Sequence, residues 1–502
     1  MNLFLERHTD QIQGMISCYD RVVFMGTLPD ICYAGAITGF LNMNRIRIFD
    51  YSRWAEPYRD ELRQHADRLA EENGLEIEFV QKKNFRKEER IREILSQHEN
   101  HSGLVHIFSA LEPCSSFRPW HNKGSGKTYL KPIQSKCIHY YFYFIDSDLG
   151  LCYLRVPTWA PFRLQFYFNG HNALASKLRR HGIDYTLVDN AFVEIEDYER
   201  AQHLADRLRM DSLHKRLTQY VQKYCPVVRH FPSGYHWSLM QVEYATDIVF
   251  KRQADLEPIY DGIARTAVIA VKADNIATFL GRKLHGHYQG ELGNDFQTRI
   301  QGTRIKHSMG KASIKMYDKH GRVLRIETTV NDVSFFKHYR KVEHRDGTSE
   351  MKYAPMKKTI YSLPALRELL MAANRRYLEF ISAIEDPHVE TKNLDKISRP
   401  SREGERSYRG FNLFHGDDLT LFEIIARGEF NISGLTNKMI RKFLHHKNGS
   451  QISRMLKRLR THGLIKKIGK TYKYYLTKLG RKVVMTSLKL RRIVILPALS
   501  TV

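Results

Sequence analysis

Between Phe430 and Val502 the chain carries eighteen Lys and Arg residues and not one Asp or Glu. A surface with one sign of charge repels itself unless a polyanion neutralises it, so this run predicts contact with phosphates. Its densest part is Asn448–Lys482, NGSQISRMLKRLRTHGLIKKIGKTYKYYLTKLGRK. A second pair of residues suits a different chemistry. His285 and His287 stand two apart. On an extended strand that spacing puts both imidazoles on one side and makes them candidate metal ligands.

Local pattern supplies the elements that position these groups. Asn448 or Ser450 caps a helix whose Ile452, Leu456 and Leu459 form a core-facing stripe and which stops at Gly463. Gln451, Ser453, Arg454, Lys457, Arg458 and Arg460 fall mainly off that stripe. The next stretch, LIKKIGKTYKYYLT, alternates around a Gly-Lys turn and predicts a two-stranded wing. Two more short helices are expected upstream, at Leu419–Arg427 and Leu435–Leu444. This order resembles a winged helix-turn-helix domain over about residues 417–496. The resemblance implies DNA binding, with Gln451–Arg460 as a recognition helix in a major groove. Lys466, Lys467, Lys470 and Lys473 would lie on the wing, against the backbone. A winged helix used for protein contact, or a basic helical tail, is the competing reading.

The chain has 502 residues, a formal charge of +26 and 27% charged residues, an ordinary globular mix with room for about three domains. It shows no apolar run of membrane-spanning length and no charged-then-apolar leader. Its six cysteines have no CxxC spacing, as expected of reduced thiols in a cytosolic protein. The fold class read from the pattern is multidomain α/β and α+β. Residues 1–225 predict an α/β sheet domain with an aromatic-rich hairpin. Residues 226–385 predict an α+β domain with a three-stranded antiparallel meander and a long closing helix. A linker at 386–412 and the basic winged-helix domain at 413–502 complete the chain.

Within the first part, HNKGSGKT at His121–Thr128 lacks the leading glycine of a phosphate loop and reads as a surface loop. Aromatics crowd Cys137–Val156 and Trp159–Phe168. They are either sheet core or, if Tyr141, Tyr143, Phe166 and Tyr167 are exposed together, a base-stacking platform. Within the second part, Ala312–Lys319 and Val323–Asn331 supply two strands of the meander. Their residues Tyr317-Asp318-Lys319, then Arg325 and Glu327, resemble the YDK…R-x-E strands of plasmid and phage rolling-circle replication initiators. The likeness is confined to about residues 285–341.

Those initiators cut one DNA strand with a tyrosine beside a divalent metal. The resemblance implies that Tyr317 or Tyr339 is the nucleophile, that Lys319 or Lys341 stabilises charge, and that Arg325 belongs to the same site. It also implies that Glu327, with His285 and His287, ligates Mg2+ or Mn2+. Tyrosine suits such a step because its phenoxide attacks phosphorus and leaves a reversible phosphodiester, while a metal lowers the charge barrier. Gly286 departs from the pattern, which has a bulky apolar residue between the histidines, and no Tyr-x-x-Lys follows. The competing reading makes Arg325 and Glu327 a salt bridge on one sheet face and Tyr317 an ordinary strand aromatic.

The function expected is that of a DNA-binding protein acting on mobile or replicating DNA, docked on a duplex by the winged helix and nicking a strand with the central domain. The alternatives are a non-enzymatic winged-helix transcriptional regulator and an RNA-binding protein. The expected partner is double-stranded DNA, with single-stranded DNA or RNA as the alternatives.

Overall fold

The computed structural model describes residues 3–81, 84–97, 102–282, 284, 290, 292–299, 302–384, 395–412, 415–426, 430, 434–469 and 471–489. They form two compact units, 1–383 and 384–502.

The strands of the first unit begin with β1 (Ile12–Thr27), β2 (Ile77–Phe79), β3 (Gly103–Asn122), β4 (Lys127–Asp146), β5 (Gly150–Pro157) and β6 (Leu164–Asn169). After the small hairpin of β7 (Tyr185–Val188) and β8 (Ala191–Ile195) comes β9 (His236–Phe250). Then follow β10 (Leu292–Arg299), β11 (Gly302–Met309), β12 (Ala312–Lys319) and β13 (Val323–Val330). Eleven of these make one sheet in the order β10-β11-β12-β13-β9-β1-β6-β5-β4-β3-β2. Only β2 runs parallel to its neighbour.

This sheet corrects the expected boundary near residue 225. β9 pairs with β1 on one side and β13 on the other, so residues 1–225 and 226–385 share one sheet rather than two. The meander has four strands, since Thr298–Met309, which reads in the sequence as its first strand, divides between β10 and β11. β9 reads as mixed in the sequence because its last seven residues are all buried, and alternation vanishes where both faces are covered. Arg45–Tyr51, expected as a strand, contains a left-handed Arg45 and a 3-10 turn leading into the helix Tyr51–Glu72. Ala267–Val271, also expected as a strand, is the end of the helix Gln253–Ala270; a short apolar run fits either element.

One face of the sheet packs against Leu62, Leu213, Leu256 and Leu366 from four helices. The other is covered only in part. Leu174, Leu178, Phe192, Ala201 and Leu204 cover Ile16 there, and Ile91 packs with Phe108, Tyr141 and Tyr143. Between these patches polar side chains line the sheet.

β1 bends at that place. Its register with β9 shifts between Tyr19 and Val22, a bulge that inserts Asp20 and Arg21. The helix Gly170–Arg180 starts against the bulge, capped by Asn169, whose side chain accepts from the His171 and Asn172 amides. A Cβ on Gly170 would lie 1.9 Å from the Tyr19 carbonyl oxygen. Gly170→Ala is therefore expected to lose about 1–3 kcal/mol of stability through overpacking, measurable by denaturant titration of the full chain.

The second unit has its own core, built on Leu421, Phe422, Ile425, Leu435, Ile440, Ile452, Leu456 and Leu459. Its elements are a hairpin of Ser401–Glu403 with Arg406–Tyr408, the helices Gly416–Ile425, Asn437–Arg441 and Gly449–Thr461, a hairpin of Ile465–Lys467 with Tyr474–Leu476, and the helix Lys478–Lys489. The described part of the expected linker at 386–412 thus belongs to this unit, with Ile397 and Phe411 in its core. Leu435 bridges to Tyr474 and adds a third edge to the hairpin. Asn448 and Gln451 form a capping box on the third helix. No helix among the described residues is long and apolar enough to cross a membrane, and all six cysteines are free.

Candidate metal and nucleic-acid centre

Cross-strand register assembles the first unit's polar face. Lys315 lies opposite Glu327 and Tyr317 opposite Arg325 on the β12–β13 pair. Arg325 in turn lies opposite Asp247, and Thr329 opposite Glu243, on the β13–β9 pair. Facing residues of antiparallel strands point the same way, so these side chains share one side of the sheet. The bulge in β1 adds both of its residues to that side. Asp20 joins the acids, and Arg21 Nε stands 3.8 Å from Glu243 Oε2.

Three carboxylates result. Asp20, Glu243 and Glu327 each offer an oxygen within 4.8 Å of the others, a set that could hold a metal ion. Lys315 Nζ donates to Glu327 Oε1 at 2.7 Å and lies 3.5 Å from Glu243 Oε1. The Tyr317 hydroxyl donates to Glu327 Oε2 at 2.7 Å. Burial, and then the charge of Glu327, push the Glu243 carboxyl above its ordinary value. A divalent cation would relieve that strain between like charges. Burial and Glu327 likewise push the Tyr317 phenol well above its usual range. Burial opposes the charge of Lys315, but Glu327 and Glu243 outweigh it and keep the ammonium protonated.

Beneath the triad lies a fully buried ion cluster. Arg325 Nε and Nη2 donate to the two Asp247 oxygens at 2.7 Å each, and Nη2 also reaches the Asn190 carbonyl at 2.5 Å. His171 sits between Asp20, at 3.0 Å, and Asp247, at 3.3 Å. Asn169 and Asn190 donate to Asp20 Oδ1 at 3.2 and 2.6 Å. Every one of these Asp20 contacts, including Arg325 Nη1 at 3.7 Å, falls on Oδ1. The other oxygen is left for a ligand in the triad. Burial works against ionised Asp20, but His171 and Arg325 outweigh it and hold the carboxyl far below its usual range.

The residues expected from sequence divide accordingly. Tyr317, Glu327 and Arg325 meet in one place, with Arg325 as the buried support rather than a surface group. Lys319, on the same side of β12, is pushed down to about 8, chiefly by burial and then by Arg325. Tyr339 does not join them. It stands 72% exposed on a separate hairpin, Lys337–Glu343 with Ser349–Pro355, its ring against Tyr353. Lys341 is on the same hairpin. His285 and His287 lie outside the described residues. Among the described residues, the carboxylates that join Glu327 as a candidate ligand set are Asp20 and Glu243. The sequence offers little sign of either: Glu243 sits in a strand with no clear alternation, and Asp20 is aimed by a bulge that adjacent-residue alternation does not foresee.

The aromatics of β4–β6 form core, not a platform. Phe166 is fully buried, Tyr143 and Tyr141 nearly so, which removes the exposed surface that the RNA-binding reading requires. The exposed pair lies at the tip of the β3–β4 ribbon instead, where Trp120 faces Tyr129 with Arg118 and Lys131 over the indole at 5.4 and 5.0 Å.

In the second unit, part of the expected recognition set is already engaged. Arg458 is buried, bidentate to Asp418, bonded to the Arg409 and Gly410 carbonyls and stacked on Phe411. Sequence periodicity placed it off the apolar stripe; the guanidinium instead closes the core through Asp418. Lys457 and Arg460 both donate to Glu403, and Ser453 accepts from Asn437. Gln451 is tied into the cap but exposed, as are Arg454, Lys466, Lys467 and Lys473. Lys470 lies outside the described residues. Lys438, Arg441 and Lys442 extend the exposed positive surface.

Compared with known proteins, the chain matches no family model, no curated protein and no solved structure.

Proposed function

We propose that the chain is a metal-dependent, DNA-directed phosphodiester-cleaving protein whose second unit docks on duplex. The observation that carries the reading is the meeting of Asp20, Glu243 and Glu327 within 4.8 Å, with the Tyr317 hydroxyl 2.7 Å from Glu327. Carboxylate oxygens suit Mg2+ or Mn2+, which would clamp a phosphate and offset its developing charge. Strand transfer to Tyr317 forms an Oη–P bond and breaks one P–O ester bond. The phenol proton passes to Glu327, and the departing sugar oxygen takes a proton from water. Lys315, Lys319 and Arg21 supply positive charge on the face where the phosphate would sit. The resemblance to rolling-circle initiators agrees with this reading and adds a tyrosyl-DNA intermediate to its expectations.

The second unit supplies a helix-helix-helix-hairpin order and an exposed positive surface, which support a winged helix on a phosphate backbone. Its docking face is taken as Arg454, Lys438, Arg441, Lys442, Lys466, Lys467 and Lys473, since Arg458, Lys457 and Arg460 are occupied within the unit. Truncation at Ala383 is expected to lower duplex affinity by about a hundredfold or more and to flatten its dependence on salt, read by anisotropy between 50 and 200 mM salt. Affinity that survives truncation unchanged would remove the docking role.

The test of the catalytic reading is incubation of the full chain with single-stranded DNA and Mn2+, followed by a denaturing gel and a search for protein-linked DNA. A covalent adduct lost in Tyr317→Phe supports transfer to tyrosine. Cleavage that persists in Tyr317→Phe assigns the attack to water and leaves Tyr317 as the group that orients Glu327. The burial of the Tyr317 phenol gives that second route its physical basis. The regulator reading would gain from tight duplex binding with no cleavage on either substrate.

A further inference from the structure

Beside the carboxylate triad the same face of the sheet opens into a cavity of about 600 Å³, walled by β4–β6, the helix Gly170–Arg180 and the β7–β8 hairpin. Its walls are of two kinds. Tyr143, Leu151, Tyr167 and Tyr185 make one side aromatic and aliphatic, and Lys319 stands among polar groups on another. Lys319 is the informative residue. Its side chain is half-buried and lines the cavity, yet among the described residues its ammonium makes no hydrogen bond and no ion pair. Asp20, Asp247 and Asp189 act on it only at longer range. A half-buried cation with no hydrogen-bonded partner, facing a cavity, is a place for an anion, because a bound phosphate supplies a charge-assisted hydrogen bond there.

The volume lies in the range of pockets that take a single small ligand, far too small for a duplex. Asp20 links this cavity to the triad, since Asn169 and Asn190, which line the cavity, both donate to its Oδ1. A ligand here would combine one anionic group near the carboxylates with a flat, mostly apolar body carrying hydrogen-bonding edges. The amides of Asn172 and Asn190 also line the cavity and can meet such edges.

Resting on the cleavage reading above, we propose that the cavity receives one unstacked nucleotide of a single strand. Its phosphate pairs with Lys319 at the edge of the triad, and its base lies among Leu151, Tyr167 and Tyr185, above the buried Tyr143. An unpaired nucleotide enters at little cost, whereas a duplex must first give up stacking and pairing. The site therefore selects single-stranded substrate by shape.

The test uses the full chain in EDTA, so that binding is read without cleavage. Anisotropy compares a fluorescent twelve-residue oligothymidylate with a twelve-pair duplex. Lys319→Met removes the cation, and Ser176→Trp fills the cavity from the helix while keeping every charged residue of its lining. Each is expected to weaken single-strand binding about tenfold or more, as loss of one charged contact does, and to leave duplex affinity unchanged. Thymidine 5′-monophosphate should show line broadening with the wild type that Ser176→Trp abolishes. If Lys319→Met fails to fold by circular dichroism, Ser176→Trp decides alone. Unchanged oligothymidylate affinity in folded Ser176→Trp overturns the assignment, even where Glu327→Gln has abolished cleavage. Weakened single-strand binding in a wild type that never cuts DNA keeps the cavity and removes the cleavage reading.

Discussion

Glu327→Gln is expected to lower Mn2+ affinity by about a hundredfold or more and to abolish metal-dependent strand cleavage, with the fold kept. Glu327 is the member of the triad through which the other parts connect. One oxygen takes the Lys315 ammonium at 2.7 Å and the other the Tyr317 hydroxyl at 2.7 Å. The amide keeps the shape but cannot balance a divalent cation or take the phenol proton. Substitutions one shell further from a metal already reduce affinity by about 10–100-fold, so a direct ligand should exceed that. Electron paramagnetic resonance of Mn2+ titrated into the full chain reads the binding, and a denaturing gel reads the cleavage. Glu243→Gln should weaken the metal similarly while leaving the Tyr317–Glu327 bond in place. Equal Mn2+ binding in wild type and both variants would place the metal elsewhere.

Arg325→Met is expected to destabilise the first unit by about 3–5 kcal/mol, the loss typical when one partner of a buried ion pair is removed. Arg325 has no exposed side-chain surface and bonds both oxygens of Asp247, itself fully buried. Methionine fills similar space and leaves Asp247 and Asp20 without their guanidinium. A pH dependence accompanies this. Burial alone would raise Asp247, but Arg325 and His171 outweigh it and bring the carboxyl down to about 2. A depressed carboxyl stabilises the fold above its unfolded value near 4 and loses that contribution as pH falls through its folded value. The wild type should thus keep this contribution in full above about pH 4 and lose it between about pH 4 and pH 2. In Arg325→Met burial prevails, the Asp247 pKa rises, and the acid-unfolding midpoint moves to higher pH. Denaturant titration across pH reads both effects. An Arg325→Met chain as stable as wild type would mean that water or a shifted backbone satisfies the two aspartates.

How far the sequence reaches into this site depends on what kind of signal each residue leaves. Tyr317, Arg325 and Glu327 are legible because they lie on two consecutive strands joined by a turn at Gly321, with Arg325 and Glu327 two residues apart on the second. Their convergence follows from hairpin register alone. Asp20 and Glu243 come from strands far away in the chain, and the contact between β1 and β9 is a matter of sheet topology that no local pattern encodes. The bulge at Tyr19–Val22 compounds the difficulty, since it turns Asp20 and Arg21 to one side where strict alternation would separate them. A similar limit applies to Arg458. Helical periodicity places it beside solvent-facing neighbours, and only the position of Asp418, forty residues earlier, explains its burial. The second unit's elements were nonetheless anticipated in order, because caps, apolar stripe and turn glycines act within a few residues of one another.

The division of unit one into two domains failed for a related reason. A composition shift near residue 226 marks a change in local pattern, but β9 lies between β1 and β13 and joins both halves in one sheet. The carboxylates sit across that join: Asp20 from β1, Glu243 from β9 and Glu327 from β13. A site assembled from both halves exists only when the central strands pair, so metal binding and folding of the whole unit should be coupled.

The most direct test of the central claim is a time course of a long single-stranded circular DNA, which offers many sequences at once, with the full chain and Mn2+. The account predicts Mn2+-dependent conversion of circles to linear strands, stopped by EDTA and absent with Glu327→Gln. Circles that stay intact with Mn2+, under conditions where the same protein binds them, would contradict it.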